Sequence, residues 1–246
     1  MTSQLANHLR EVTERTERLA GRAGAPALEA DQITRLGIRV PDVRRTQKHG
    51  YSFSAQPPAV QLNSWDYIWR HSNTYEVMSQ ALYAYQHREL RLEEIAVIRR
   101  WIERCGCWEH SDDLSKIYAA VVEANPSWMV PTLAKWNRSS NPWKRRQSVV
   151  SLIEYAARRS RFLPFEQLIA LVEPLLDDDE YYVQKGVGWT LREIYNAYPL
   201  EAAGYIEDKV LQIAPLAWSA ATAKLDKRDK LRLNAERKAN RAGTRR

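Results

Sequence analysis

Apolar residues recur at helical spacing along nearly the whole chain. No segment alternates apolar and polar positions as a half-buried strand would, and no Asn-Gly or Asp-Gly pair marks a hairpin. The pattern predicts helices over 3–20, 28–35, 41–48, 61–71, 74–88, 92–104, 111–124, 127–137, 142–159, 165–176, 180–197, 200–212 and 215–238. Asn125-Pro126, Asn141-Pro142, Leu163-Pro164 and Tyr198-Pro199 mark breaks, because a residue before proline resists the helical region. From about residue 61 the helices pair every 35–40 residues or so, which suits an all-α, HEAT-like solenoid with a concave face. A compact α-bundle is the alternative architecture. The expected organisation is one helical domain over residues 1–223, with residues 1–34 as N-terminal helices, and a tail over 224–246.

One helix carries an anomaly. In YYVQKGVGWTLREI, Tyr181 to Ile194, the residues Val183, Val187, Leu191 and Ile194 form a core stripe. The opposite stripe holds Tyr182, Lys185, Trp189 and Arg192, an indole with a cation one turn to either side. Gly186 and Gly188 flank it, although each interior glycine costs about 1 kcal/mol relative to alanine. Either the glycines make room for a neighbouring helix, or they let a large ligand approach the indole.

Composition narrows the classes. The net charge is +7 over 246 residues. Residues 224–246 hold ten Lys/Arg and three Asp/Glu, leaving the other 223 residues with 27 of the 37 cations and 27 of the 30 anions. An anion site on the body must therefore be a local patch, while the tail suits nucleic acid or merely keeps the chain soluble. No apolar run is long enough to cross a membrane, and the N-terminus does not read as a signal peptide. Cys105 and Cys107, a lone C-x-C, read as buried thiols in a reducing cytoplasm. The scattered histidines form no metal-ligand pattern, so neither metal nor cofactor is expected.

Two further stretches carry candidate chemistry. In SSNPWKRRQSVVSL, Asn141 is an N-cap, Pro142 fits the first helical position, and Lys144, Arg145 and Arg146 crowd the first turn. Cations there oppose the helix dipole, so free amides plus three cations predict a phosphate site; salt bridges to Asp177–Glu180 are the competing reading. Arg146 shares a stripe with Val149, Val150 and Ile153 and should point inward. In CGCWEHSDDLSKIY, Ser111 is a possible cap, and Trp108 and Asp112 share a face if the helix begins before it. An indole attracts cations, a carboxylate stabilises developing positive charge, and Arg or Lys holds phosphates.

Together, W-x-x-x-D (Trp108, Asp112), NPWKRR before an apolar helix (Arg146) and YYVQKGVGWTLRE (Trp189) resemble the DNA alkylation repair enzymes of the AlkD type. LGIRVPDVRR, Leu36 to Arg45, resembles that family's G-I-x-x-P-x-x-R segment, and the resemblance runs over about residues 35–218. It implies a HEAT-like-repeat glycosylase that releases N3- and N7-alkylated purines from duplex DNA. Trp108 and Trp189 match the family's active-site tryptophans, Asp112 its catalytic aspartate and Arg146 its backbone-binding arginine. Arg145, Lys144, Lys185 and Arg192 would add DNA contacts, and the glycines would let the DNA backbone come close. The implied enzyme is a cytoplasmic monomer that does not flip the base into a pocket, unlike most glycosylases.

The chain departs from the family pattern in three places. Glu109 stands where an aspartate is usual, Ala214 to Leu225 lacks the family's basic residues, and residues 1–34 are unmatched. Some relatives bind DNA without activity, which leaves a non-catalytic DNA-binding protein and a protein-interaction solenoid as alternatives.

Overall fold

A computed structural model describes residues 2–20, 27–28 and 33–243. Among the described residues the chain is helical apart from one two-residue ladder and an isolated bridge between Thr34 and Thr74, and it forms two compact units, Met1–Ile117 and Tyr118–Arg246. No helix among the described residues is long and apolar enough to cross a membrane.

In the first unit, α1 (Thr2–Ala20), α2 (Val40–Lys48), α3 (Pro58–His71), α4 (Tyr75–Tyr85) and α5 (Leu92–Ile98) lead to α6 (Trp108–Ala124), which crosses the division. Its core is aromatic. Trp69 and Trp101 stack at 5.6 Å, the Trp69 Nε1–H donates to the Trp101 carbonyl at 2.9 Å, and Trp101 Nε1–H donates to Asp66 Oδ1 at 2.9 Å. Both indole donors are thus satisfied while the rings stay buried. The Leu36–Ile38 turn hangs on one buried carboxylate: Glu76 accepts the Leu36 N–H at 3.0 Å and the Ile38 N–H at 3.2 Å. Gly37, at φ 70°, makes the reversal between those two amides.

The second unit holds α7 (Pro126–Asn137), α8 (Pro142–Val150), α9 (Phe165–Val172), α10 (Tyr181–Ala197), α11 (Pro199–Asp208), α12 (Pro215–Ala221) and α13 (Lys227–Gly243). α10 is its hub. Val183, Val187, Leu191 and Ile194 are fully buried, as the stripe predicts, and α8, α9, α11 and α12 all pack on this helix.

The glycines of α10 are packing residues. A Cβ on Gly188 would lie 2.3 Å from the Ala217 carbonyl oxygen and 2.8 Å from its Cα, so α12 crosses α10 backbone to backbone there. A Cβ on Gly186 would stand 3.2 Å from Arg146 Cγ and Nη1 and from Val150 Cγ1 on α8. The reading in which these glycines open space for DNA is therefore corrected: each is filled by the protein's own neighbour.

Several expected helices are shorter than their patterns. The apolar stripe of 142–159 continues past Val150, but α8 ends there; Leu152 and Ile153 stay buried through a turn, and Tyr155 takes φ 47°. Pro174 reduces the end of 165–176 to a 3-10 turn. The expected helix 28–35 is replaced, where described, by Ala27–Leu28 pairing antiparallel with Thr34–Arg35; its other residues 29–32 lie outside the described ones. The expected 215–238 helix splits into α12 and α13, because Asp226 accepts the Arg228 and Asp229 amides and starts a new helix. The segment expected as a tail is thus helical over Lys227–Gly243.

Gly204 on α11 provides a control, since a Cβ there meets nothing within 4 Å. Gly188→Ala should lower unfolding free energy by about 1–3 kcal/mol through overpacking, while Gly204→Ala should raise it by up to about 1 kcal/mol. Urea denaturation of both variants checks the pair; equal effects would contradict the α10–α12 contact.

Candidate active site

The first group stands at the start of α6. The helix begins at Trp108, so Trp108 and Asp112 do sit four apart on one helix. Ser111 is not the cap: it is buried within the first turn, its N–H donating to the Cys107 carbonyl at 3.2 Å. The residues then partition sharply. Trp108 is exposed by 46%, His110 is fully buried against Tyr75 with rings 4.6 Å apart, and Asp112 is half-buried.

The two adjacent aspartates have different surroundings. Asp113 is buried and its Oδ1 accepts from Lys116 Nζ at 2.6 Å and Gln86 Nε2 at 2.9 Å, with Arg44 at 3.9 Å. It is a structural carboxylate. Asp112 is half-buried and lies one helical turn after the exposed Trp108, on the same side of α6. Glu109 lies 3.9 Å from the Arg35 guanidinium, which in turn sits 5.3 Å from the Tyr75 ring centre. Burial, then the neighbouring Tyr83, Asp113 and Glu109, push the Tyr75 hydroxyl well above its ordinary pKa, so it stays neutral.

The second group is built by α8 and α10. Asn141 caps α8 as expected, its Oδ1 accepting the Trp143 amide at 2.8 Å and the Lys144 amide at 3.4 Å. That uses amides the sequence reading left open to a phosphate. Arg145 is a further correction. Its Nε and Nη2 fork onto Asp178 at 2.7 and 3.1 Å, and its Nη1 donates to the Ser139 and Ser140 carbonyls. The hydrogen bond to Asp178 also holds its pKa above the ordinary arginine value. The competing salt-bridge reading therefore holds for Arg145, and the pair answers the unfavourable dipole at this helix start.

Arg146 points inward, as its stripe predicts. It is buried to 6% exposure, lies against Gly186, and donates from Nη1 to the Tyr182 carbonyl at 2.8 Å. Lys144 is half-buried at the start of α8, whereas Lys185 is exposed on α10 and makes no ion pair among the described residues. Tyr182 stacks on Trp143 at 5.1 Å, and Tyr182 and Tyr181 are both exposed.

Trp189 is half-buried, and its ring is held edge-on by Tyr155 at 5.5 Å and 86°. Arg192 lies 5.9 Å from the indole centre and is pulled to Glu193 Oε1 at 3.1 Å. The buried Glu193 also accepts the Ala156 amide at 3.0 Å, next to Tyr155. Contacts thus run in a ring from Trp189 through Arg192, Glu193 and Ala156 to Tyr155 and back. Sequence reasoning missed Tyr155 and Glu193. Tyr155 fell inside an expected helix, and nothing in its sequence neighbourhood announces a left-handed residue. The structure thus assembles Trp108 with Asp112 in one unit, and Arg146, Lys185, Trp189 and Arg192 in the other. Among the described residues, no group of three His, Cys, Asp or Glu is placed to hold a metal ion.

Comparison with known proteins follows from this geometry. A family model described as DNA alkylation repair enzyme matches residues 6–225. The fold is similar to that of AlkD2 from Streptococcus mutans, with a TM-score of 0.59 at 16% identity over 87% of this chain and 99% of that one. It is also similar to a predicted DNA alkylation repair enzyme from Enterococcus faecalis, with a TM-score of 0.68 at 18% identity over 88% and 96%. No curated protein gives a significant sequence match.

Tyr155 offers a direct check on the ring of contacts. Tyr155→Ala keeps the left-handed backbone without the aromatic, while Tyr155→Gly relieves it, so the glycine variant should be the more stable by about 1 kcal/mol. Urea midpoints decide it; an alanine variant more stable than glycine would remove the strain from the account.

Proposed function

The chain belongs to the DNA alkylation repair enzyme family, and from that premise we propose that it is a monofunctional glycosylase. It hydrolyses the N-glycosidic bond of N3- and N7-alkylated purines in duplex DNA. The observation that carries the reading is the placement of Asp112 one helical turn from the exposed Trp108 at the start of α6, whereas the adjacent Asp113 is buried on Lys116 and Gln86.

The chemistry asks little of the protein. An N3- or N7-alkylated purine is cationic and departs as a neutral base. The bond electrons leave with the purine, and the deoxyribose becomes oxocarbenium-like. The Asp112 carboxylate stabilises that charge and orients the water that adds to C1′. Trp108, one turn from Asp112, offers an indole to the sugar, since indoles attract cationic centres, and Trp189 is carried over from the family resemblance as a second such indole. Lys185 is exposed toward the phosphates, and Lys144, Arg146 and Arg192, each of which also has a partner within the protein, are proposed to add contacts there. No step needs the base in a protein pocket, so adducts larger than methyl remain substrates.

The test is release of free 7-methylguanine from methylated duplex DNA in single turnover. Wild type should release it, and Asp112→Asn should slow release by about 100-fold or more, the scale set by losing one electrostatic group aimed at the developing charge. Asp113→Asn should act mainly on stability. DNA binding without release by wild type would replace the glycosylase with a non-catalytic DNA-binding protein; absence of DNA binding would point to a protein-interaction solenoid.

A further inference from the structure

The family model ends at residue 225, and α13 begins two residues later. This helix is strongly basic, yet it is not loose. Leu233 is 1% exposed, the Trp218 Nε1–H donates to Asn234 Oδ1 at 2.7 Å, and the Arg237 guanidinium lies 4.3 Å from the centre of the Trp218 ring. Arg237, itself buried, donates to the Val210 carbonyl. Leu233, Asn234 and Arg237 lie on one side of the helix and dock it on α12 and the chain after α11.

The docking has a direct mechanical reference to the candidate site. Trp218 follows Ala217, the residue whose backbone touches Gly188, and Gly188 precedes Trp189. One helix, α12, therefore separates α13 from the helix that carries the indole.

The cations of α13 divide into two sets. Arg237 is used in docking, and Arg232 is paired with Glu207 at 2.6 Å and with Asp229 at 3.5 Å. Lys227, Arg228, Lys230 and Lys238 make no ion pair among the described residues. Lys227 and Lys238, eleven residues apart, fall on one exposed stripe beside the docked face, while Lys230 lies within that face and is half-buried. At 1.5 Å per residue the stripe runs about 16 Å, or roughly five phosphates along one DNA strand. A membrane would need an apolar outer face, and the outward positions offer only Leu231 among alanines such as Ala235 and Ala239.

We infer that α13 is an added clamp on the DNA backbone, with the exposed Lys227 and Lys238, flanked by Arg228, tracking phosphates of the duplex. The inference rests on duplex DNA as the substrate, but not on base release. The clamp works because the helix is docked, which distinguishes it from a mobile basic tail.

The test measures affinity for an undamaged duplex oligonucleotide over a salt series, using the full chain. The K227Q/R228Q/K238Q variant should flatten the slope of log K against log salt by about 2–3, since each phosphate contact contributes about 0.9. Leu233→Ser keeps every charge but undocks the helix, and it should flatten the slope as well. An unchanged slope in the triple variant overturns the clamp, as does loss of binding to anionic phosphatidylserine vesicles with duplex affinity intact. A wild-type slope in Leu233→Ser, with the helix shown undocked by faster amide exchange, reduces α13 to a mobile polycation and overturns it too. Release of 7-methylguanine at saturating DNA, measured on the same proteins, keeps the two readings apart: a flattened slope without release by wild type leaves the clamp standing and removes the glycosylase.

Discussion

The closest constraint in the second unit is the crossing of α10 and α12 at Gly188, where even a methyl group would collide with the Ala217 backbone. Contact at that range fixes the azimuth of α10 about its own axis, since any rotation would drive a neighbouring side chain into α12. With the valine-leucine-isoleucine stripe buried and Gly186 occupied by Arg146, little freedom is left. Lys185 emerges in solvent and Trp189 lies half-buried against Tyr155 because every other direction is taken. The indole is therefore positioned by backbone packing first and by its aromatic partner second.

Electrostatics then sort residues that look alike. Of three cations in the first turn of α8, Arg145 is forked on Asp178, Arg146 is buried against α10, and Lys144 is half-buried. Of two adjacent aspartates on α6, Asp113 is enclosed by Lys116, Gln86 and Arg44. Pairing a buried charge with good geometry keeps it from being an uncompensated cost, and it also takes that charge out of contention for a ligand.

Much of this was legible in the residues. Helical period, proline breaks and the stripe of α10 gave the all-α fold and the inward aim of Arg146, because periodicity reports which side of a helix is buried. The limits were equally physical. Gly188 looked like an opening because sequence cannot show that Ala217, 29 positions later, fills the space. Arg145 and Asp178 are 33 residues apart, so their fork depends on tertiary packing. The turn at Tyr155 is held by Glu193 from another helix, and the apolar stripe runs straight through it. The docking of α13 by Trp218 likewise turns a basic run into an ordered helix.

We propose that Asp112 and Trp108, one turn apart on α6, serve one transition state. A double-mutant cycle tests this most directly, with single-turnover release of 7-methylguanine measured for wild type, Asp112→Asn, Trp108→Ala and the double variant. Groups that act on the same developing charge are coupled, so the double variant should lose less than the product of the two single losses. Strictly multiplicative losses, or a Trp108→Ala variant as fast as wild type, would contradict it.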